Sequence, residues 1–173
     1  MKILHTPCLR VLIAYYSYTG NTRAVAQMVR ERTCGVLFGV EPLEPYNNAS
    51  LEKATQCERG RKTLPALRYA APPMTHYDFI LVGGPVWHKS LPAPLRSFLQ
   101  QTDFTGKRVA PFCTYEKGSG NFFADFAMLA KNADLLRGFA FDISRYHFVC
   151  ESAVLLDANL AALGIPSLRC VAM

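Results

Sequence analysis

The fold is decided by Val11-Leu12-Ile13-Ala14-Tyr15-Tyr16-Ser17-Tyr18-Thr19-Gly20-Asn21-Thr22. Its first half is an unbroken apolar run of strand length, far short of the roughly 20 residues that a membrane span requires. With Arg10 at its start, it reads as a strand over Arg10–Tyr16 covered on both faces, because a strand with one wet face alternates apolar and polar residues. Three hydroxyls, an amide and a glycine follow at once and open a helix from about Gly20 to Thr33. Val25, Met28, Val29 and the stem of Arg32 fall on one face of that helix, and Gly35 lies just past its end.

The same alternation continues along the chain. Val36–Glu41 reads as a second strand, ended by Pro42 and Pro45, and Ser50 as the N-cap of a second helix running to about Arg59. A proline-containing connection, Leu64–Tyr77, leads to a third strand over Asp78–Gly83. Leu91, Leu95, Phe98 and Leu99 form the stripe of a third helix, with Pro92 and Pro94 tolerated in its first turn. Arg108–Tyr115 is a fourth strand, Phe122–Lys131 a fourth helix, Leu135–Phe141 a fifth strand, and Ser152–Leu163 a last helix stopped by Gly164. Five strand–helix units in succession predict a parallel sheet with helices on both faces. Pro111 conflicts with this reading, since an internal strand needs its N–H; either the strand bulges there or the proline nitrogen faces a gap in the pairing.

Composition agrees with one domain spanning residues 1–173. Half of the residues are apolar and 18% are charged, which excludes global disorder. His5, Pro7 and Arg10 interrupt any apolar leader near the N-terminus, so no export signal is expected. The six cysteines lie far apart and none is paired at metal-ligand spacing, which predicts free thiols, no metal site and a cytoplasmic setting. Nineteen basic side chains against thirteen acidic ones give a formal charge of +6. The basic residues are scattered, without the aromatic interleaving of an RNA-binding surface, so neither nucleic acid nor membrane insertion is expected.

In such a sheet ligands sit beyond the carboxyl ends of the strands, where strand order reverses, and three loops there are unusual. Ser17-Tyr18-Thr19-Gly20-Asn21-Thr22 sets hydroxyls and backbone N–H groups at a helix N-terminus, a cradle for phosphate. It contains no lysine and lacks the spacing of nucleoside-triphosphate loops. After the third strand, Gly83-Gly84-Pro85-Val86-Trp87-His88-Lys89 carries the one tryptophan, an indole able to cover a flat ring. After the fourth, Thr114-Tyr115-Glu116-Lys117-Gly118-Ser119-Gly120-Asn121 lets backbone approach a ligand closely. Together they describe a site for a phosphorylated flat heterocycle.

The chain resembles the flavodoxins. The likeness is carried by Val11–Val29 with its S-x-T-G-N-T loop, by Tyr77–Trp87 with its P-V-W ending, and by Gly106–Thr114. The resemblance implies an α/β, doubly wound three-layer sandwich with a five-stranded parallel sheet in the order 2-1-3-4-5, binding FMN. It implies that Ser17, Thr19, Gly20, Asn21 and Thr22, with Tyr18 among them, hold the phosphate. Pro85, Val86, Trp87 and His88 would line the isoalloxazine. Thr114, Tyr115, Glu116, Gly118, Ser119, Gly120 and Asn121 would close over its other edge. Pro111 falls where similar members of the family carry a proline.

Charge sets this chain apart from the acidic electron carriers it resembles. His88, Lys89 and Lys117 lie in the loops assigned to the flavin, and positive charge there favours the reduced, anionic ring. Two roles follow. One is an electron carrier serving a redox partner protein or a small-molecule electron acceptor, with no catalytic residue of its own. The other is a small FMN-dependent NAD(P)H- or quinone-linked oxidoreductase, in which His88 could donate a proton to a reduced quinone. Cys113 reads as a buried strand cysteine.

Overall fold

A computed structural model describes residues 9–46, 64–144 and 150–165, with residues 150–152 in backbone only. The helix expected over Ser50–Arg59 lies outside the described residues. The elements are β1 (Val11–Tyr15), α1 (Asn21–Thr33), β2 (Val36–Gly39), a 3-10 turn at Met74–His76, β3 (Phe79–Pro85), α2 (Ala93–Gln101), β4 (Arg108–Tyr115), α3 (Phe122–Leu129), β5 (Asp134–Leu135), β6 (Phe139–Asp142) and α4 (Cys150–Ala162).

Among the described residues every pairing between these strands is parallel, in the order β2-β1-β3-β4-β5, with β6 also on β4. The expected doubly wound α/β sheet is therefore present. Two apolar layers flank it. One gathers Leu12, Ile80 and Val82 with Leu95, Phe98 and Leu99 of α2 and Phe122 and Phe126 of α3. The other gathers Ile13, Leu81 and Phe112 with Val25 and Val29 of α1 and Leu156 and Leu160 of α4. Because both faces of β1, β3 and β4 are covered, these strands are apolar almost throughout, which is why the opening run does not alternate.

The conflict at Pro111 resolves in the sheet. Lys107, Val109 and Tyr115 turn their carbonyls outward, accepting from Asp134, Leu136 and Ile143, while Thr114 faces β3 and accepts from Val86. Odd-numbered residues of β4 therefore address β5 and β6, and Pro111 is one of them. The fifth strand expected over Leu135–Phe141 is broken at that place. β5 pairs with Arg108 and Val109, β6 resumes at Phe112, and residues 136–138 bridge the interval. The proline's missing donor points into the break, so no ladder bond is lost. Gly138 completes the accommodation, since a Cβ on it would stand 2.4 Å from the Phe123 ring and 2.8 Å from Pro111 Cγ.

Cysteine usage departs from the sequence reading. Cys113 is free and buried, and desolvation pushes its thiol up to about 12. Cys34, which caps the C-terminus of α1, is disulfide-bonded rather than a free thiol. Sequence spacing does not reveal which cysteines meet in space, and so this bond was not legible. No helix among the described residues is long and apolar enough to cross a membrane.

Candidate site at the carboxyl ends of the strands

The three unusual loops meet in one cavity of about 470 Å³. Its walls are Tyr18, Thr19, Asn21 and Thr22 after β1, Pro85, Val86, Trp87, His88 and Lys89 after β3, Thr114, Tyr115, Glu116, Lys117 and Gly118 after β4, and Ile143 after β6. This size is within the range of small-molecule sites.

The first wall is built on the start of α1. Gly20 caps the helix at φ 97°, a left-handed conformation in which a Cβ would be strained, and nothing lies within 4 Å of where one would project. The Ser17 hydroxyl accepts from the Gly20 N–H at 3.2 Å, and Asn21 Nδ2 donates to Thr19 Oγ1 at 3.3 Å. No acidic residue occupies the first turn of α1, and Arg23 stands there instead. A cation at that end opposes the helix dipole and suits an anion placed before the helix.

Thr22 and Thr114 join the first wall to the third. Their hydroxyls lie 2.8 Å apart, and the residues are 1% and 2% exposed. One hydroxyl donates to the other, which leaves a single hydroxyl hydrogen free to donate elsewhere. A buried pair with one donor in reserve satisfies itself without a ligand and still offers one bond to an anion.

The second wall is a tight turn. Trp87 and Ser90 exchange backbone hydrogen bonds at 3.1 and 2.8 Å, with His88 at φ 47° and Lys89 at φ 64° between them. Positive φ at both central positions is a geometry that Asn-Gly fills readily. Here neither residue is glycine, at a cost of about 1 kcal/mol or more for each. Trp87 meets Tyr16, Tyr18 and Tyr46 edge-on, with centroids at 5.4, 6.2 and 5.9 Å. The indole is thus fixed by an aromatic cage, beyond which a second cavity of about 340 Å³ is lined in part by Ser17, Tyr18, Arg23 and Tyr46.

Most residues expected at the site converge on the main cavity, but five do not line it. Ser17 lines the neighbouring cavity, and Gly20 shapes the turn into α1. The Ser119 carbonyl accepts from the Phe122 N–H at the start of α3, and Gly120 and Asn121 grip the second wall. The Asn121 N–H donates to the Lys89 carbonyl at 2.6 Å, and a Cβ on Gly120 would stand 2.5 Å from Lys89. Ile143 was missed, although its place just past the last strand was a usable signal. Lys89 and Lys117 line the cavity, and Glu116 is the one carboxylate among its described lining residues. All three are exposed, and none takes part in the three ion pairs among the described residues. Their field at the cavity is therefore screened by solvent.

A family model described as flavodoxin matches residues 10–133. The chain belongs to the flavodoxin family. This flavodoxin is similar in fold to a Bacteroides eggerthii protein assigned to the flavoproteins, at 22% identity over 90% of this chain and 98% of that one, with a TM-score of 0.77. It is also similar to a Lactobacillus acidophilus flavoprotein solved in complex with FMN, at 27% identity over 79% and 95% of the two chains, with a TM-score of 0.67. No protein of curated function matches the chain in sequence.

Proposed function

We propose that this flavodoxin binds FMN in the three-loop cavity and serves in electron transfer. The observation that carries the reading is the joining of a helix N-terminus, an aromatic turn and a glycine-containing loop around one cavity. The residues present fit the cofactor. Open space before α1 and the reserve donor of the Thr22–Thr114 pair suit a phosphate. Pro85, Val86, Trp87 and Tyr115 offer apolar and aromatic surface to a ring system, and the space beside Gly118 admits its far edge. The FMN complex of the Lactobacillus acidophilus relative supports the same assignment.

FMN supplies reversible electron uptake when bound. The chain's own residues hold the phosphate, fix Trp87 against one part of the cavity and keep water from the Thr22–Thr114 contact. The partner on this reading is a redox protein or a small electron acceptor. A second reading, an FMN-dependent NAD(P)H- or quinone-linked oxidoreductase, draws support from His88, an exposed cavity residue whose imidazole can donate a proton. An absorption spectrum of the purified protein, followed by NADH or NADPH without a partner protein, separates the two. A flavin spectrum that bleaches supports the oxidoreductase, and one that stays oxidised until a reductase is added supports the carrier. Absence of flavin together with failure to bind added FMN rejects both.

A cytoplasmic setting accompanies the carrier role. The Cys34 disulfide speaks against it, because cytosolic thiols are kept reduced. Labelling of Cys34 by a thiol reagent in intact cells would support the cytoplasm, and labelling only after prior reduction would speak for an oxidising compartment.

A further inference from the structure

Three contacts run from the start of α3 to the turn that carries Trp87. The Asn121 N–H donates to the Lys89 carbonyl, Gly120 at φ 53° lies against the Lys89 backbone, and Ser90 Oγ donates to Asp125 Oδ2. Phe122 and Phe126 are fully buried, which seats the helix firmly in the core beneath these contacts. The turn itself holds His88 and Lys89 in left-handed conformations that neither favours. A conformation of that kind persists only where its surroundings over-determine it. The two backbone contacts hold Lys89, and the Ser90–Asp125 bond is the side-chain anchor at the far end of the turn. A bond to a carboxylate is among the stronger hydrogen bonds.

We infer that Asp125 is a positioning residue: acting through Ser90, it locks the Trp87–Ser90 turn and so sets the aromatic wall of the cavity. Asp125 does not line the cavity. Its effect on cofactor affinity rests on the FMN reading above, whereas its effect on the turn does not.

The one tryptophan of the chain, Trp87, reports the turn without any cofactor. Emission of Trp87 is measured in the ligand-free protein, and FMN affinity by titration, for the wild type, Asp125→Ala, Ser90→Ala, His88→Asn/Lys89→Gly and the combination of that pair with Asp125→Ala. Asp125→Ala and Ser90→Ala are expected to shift Trp87 emission to the red and to weaken FMN binding by about tenfold, the scale of a hydrogen bond to a charged group. The Asn-Gly pair builds a turn that needs no clamp. Adding Asp125→Ala to it therefore changes emission little and affinity by less than about twofold. Unchanged emission and affinity in Asp125→Ala overturn the inference. So does an equal loss in both backgrounds, which would mean that the carboxylate only supports α3. Ser90→Ala decides the matter if Asp125→Ala does not fold. Emission shifts as stated, with no FMN bound even by the wild type, uphold the positioning role and reject the FMN reading.

Discussion

The two ends of the sheet are built differently. At the amino end Arg10 and Asp78 form a paired set of bonds, Arg10 Nη2 to Asp78 Oδ1 at 2.8 Å and the Arg10 N–H to Asp78 Oδ2 at 3.0 Å. There too Lys107 Nζ donates to the Tyr77 carbonyl at 2.9 Å. At the carboxyl end Lys89, Lys117 and Glu116 are exposed without an ion pair among the described residues, and the turn beside them is strained. One end spends its polar groups on holding strands together. The other keeps them available, and the strain there is retained because α3 holds it. Ligand-binding ends are drawn from the less stable parts of a fold for the same reason.

The comparison can be broken most sharply at the hydroxyl pair. Thr22→Val strands the Thr114 hydroxyl in a buried place, so stability is expected to fall by about 1–3 kcal/mol in urea unfolding. FMN affinity is expected to fall as well, because the one hydroxyl hydrogen that remains, on Thr114, is no longer oriented by its partner. A fall in stability without a change in affinity would mean that the pair serves the fold alone.

Relief of strain gives the next largest effect. His88→Asn/Lys89→Gly is expected to raise stability by about 1–2 kcal/mol, because both positions then accept positive φ without penalty. A null result in the same unfolding assay would remove the contrast between the two ends.

The amino end answers to acid instead. Its pairing with Arg10 lowers the Asp78 carboxyl to about 2, through hydrogen bonds to the Arg10 side chain and backbone first. A group whose folded value is depressed stabilises fully above its unfolded value, near 4, and loses that contribution as pH falls through the folded value. Asp78→Asn should therefore lower the melting temperature at neutral pH, and the gap to wild type should close as pH falls to about 2. FMN affinity should not change. A gap that persists in acid would mean that the loss is one of packing.

The smallest effect concerns charge at the mouth. Lys89→Glu with Lys117→Glu is expected to lower the potential of the two-electron flavin couple, and the shift should shrink in about 1 M salt because both groups are exposed. A potential unmoved at low salt would mean that these ammonium groups do not act on the ring.

What could be read in the sequence divides along the same line. The strands and the hydroxyl loop were legible because each depends on residues adjacent in the chain: an apolar run, a glycine at a helix start, hydroxyls before it. The strand order came from the family resemblance instead. Pro111 posed its problem in sequence, but its answer lies in the break between β5 and β6, which no local pattern announces. The clamp on the Trp87 turn was invisible because Ser90 and Asp125 are 35 residues apart, and neither carries a motif. Nor does spacing show that Cys34 finds a disulfide partner. Ile143 is the exception, a neighbour of the site by topology alone that a stricter reading of strand ends would have included.

The central claim is that FMN sits in the three-loop cavity with its phosphate at the start of α1 and its ring near Trp87. Titrating the ligand-free protein with FMN and, separately, with riboflavin while following Trp87 fluorescence tests it directly. The account predicts saturable one-to-one quenching by FMN and much weaker binding of riboflavin, which lacks the phosphate. Equal affinity for the two, or no quenching by either, would contradict it.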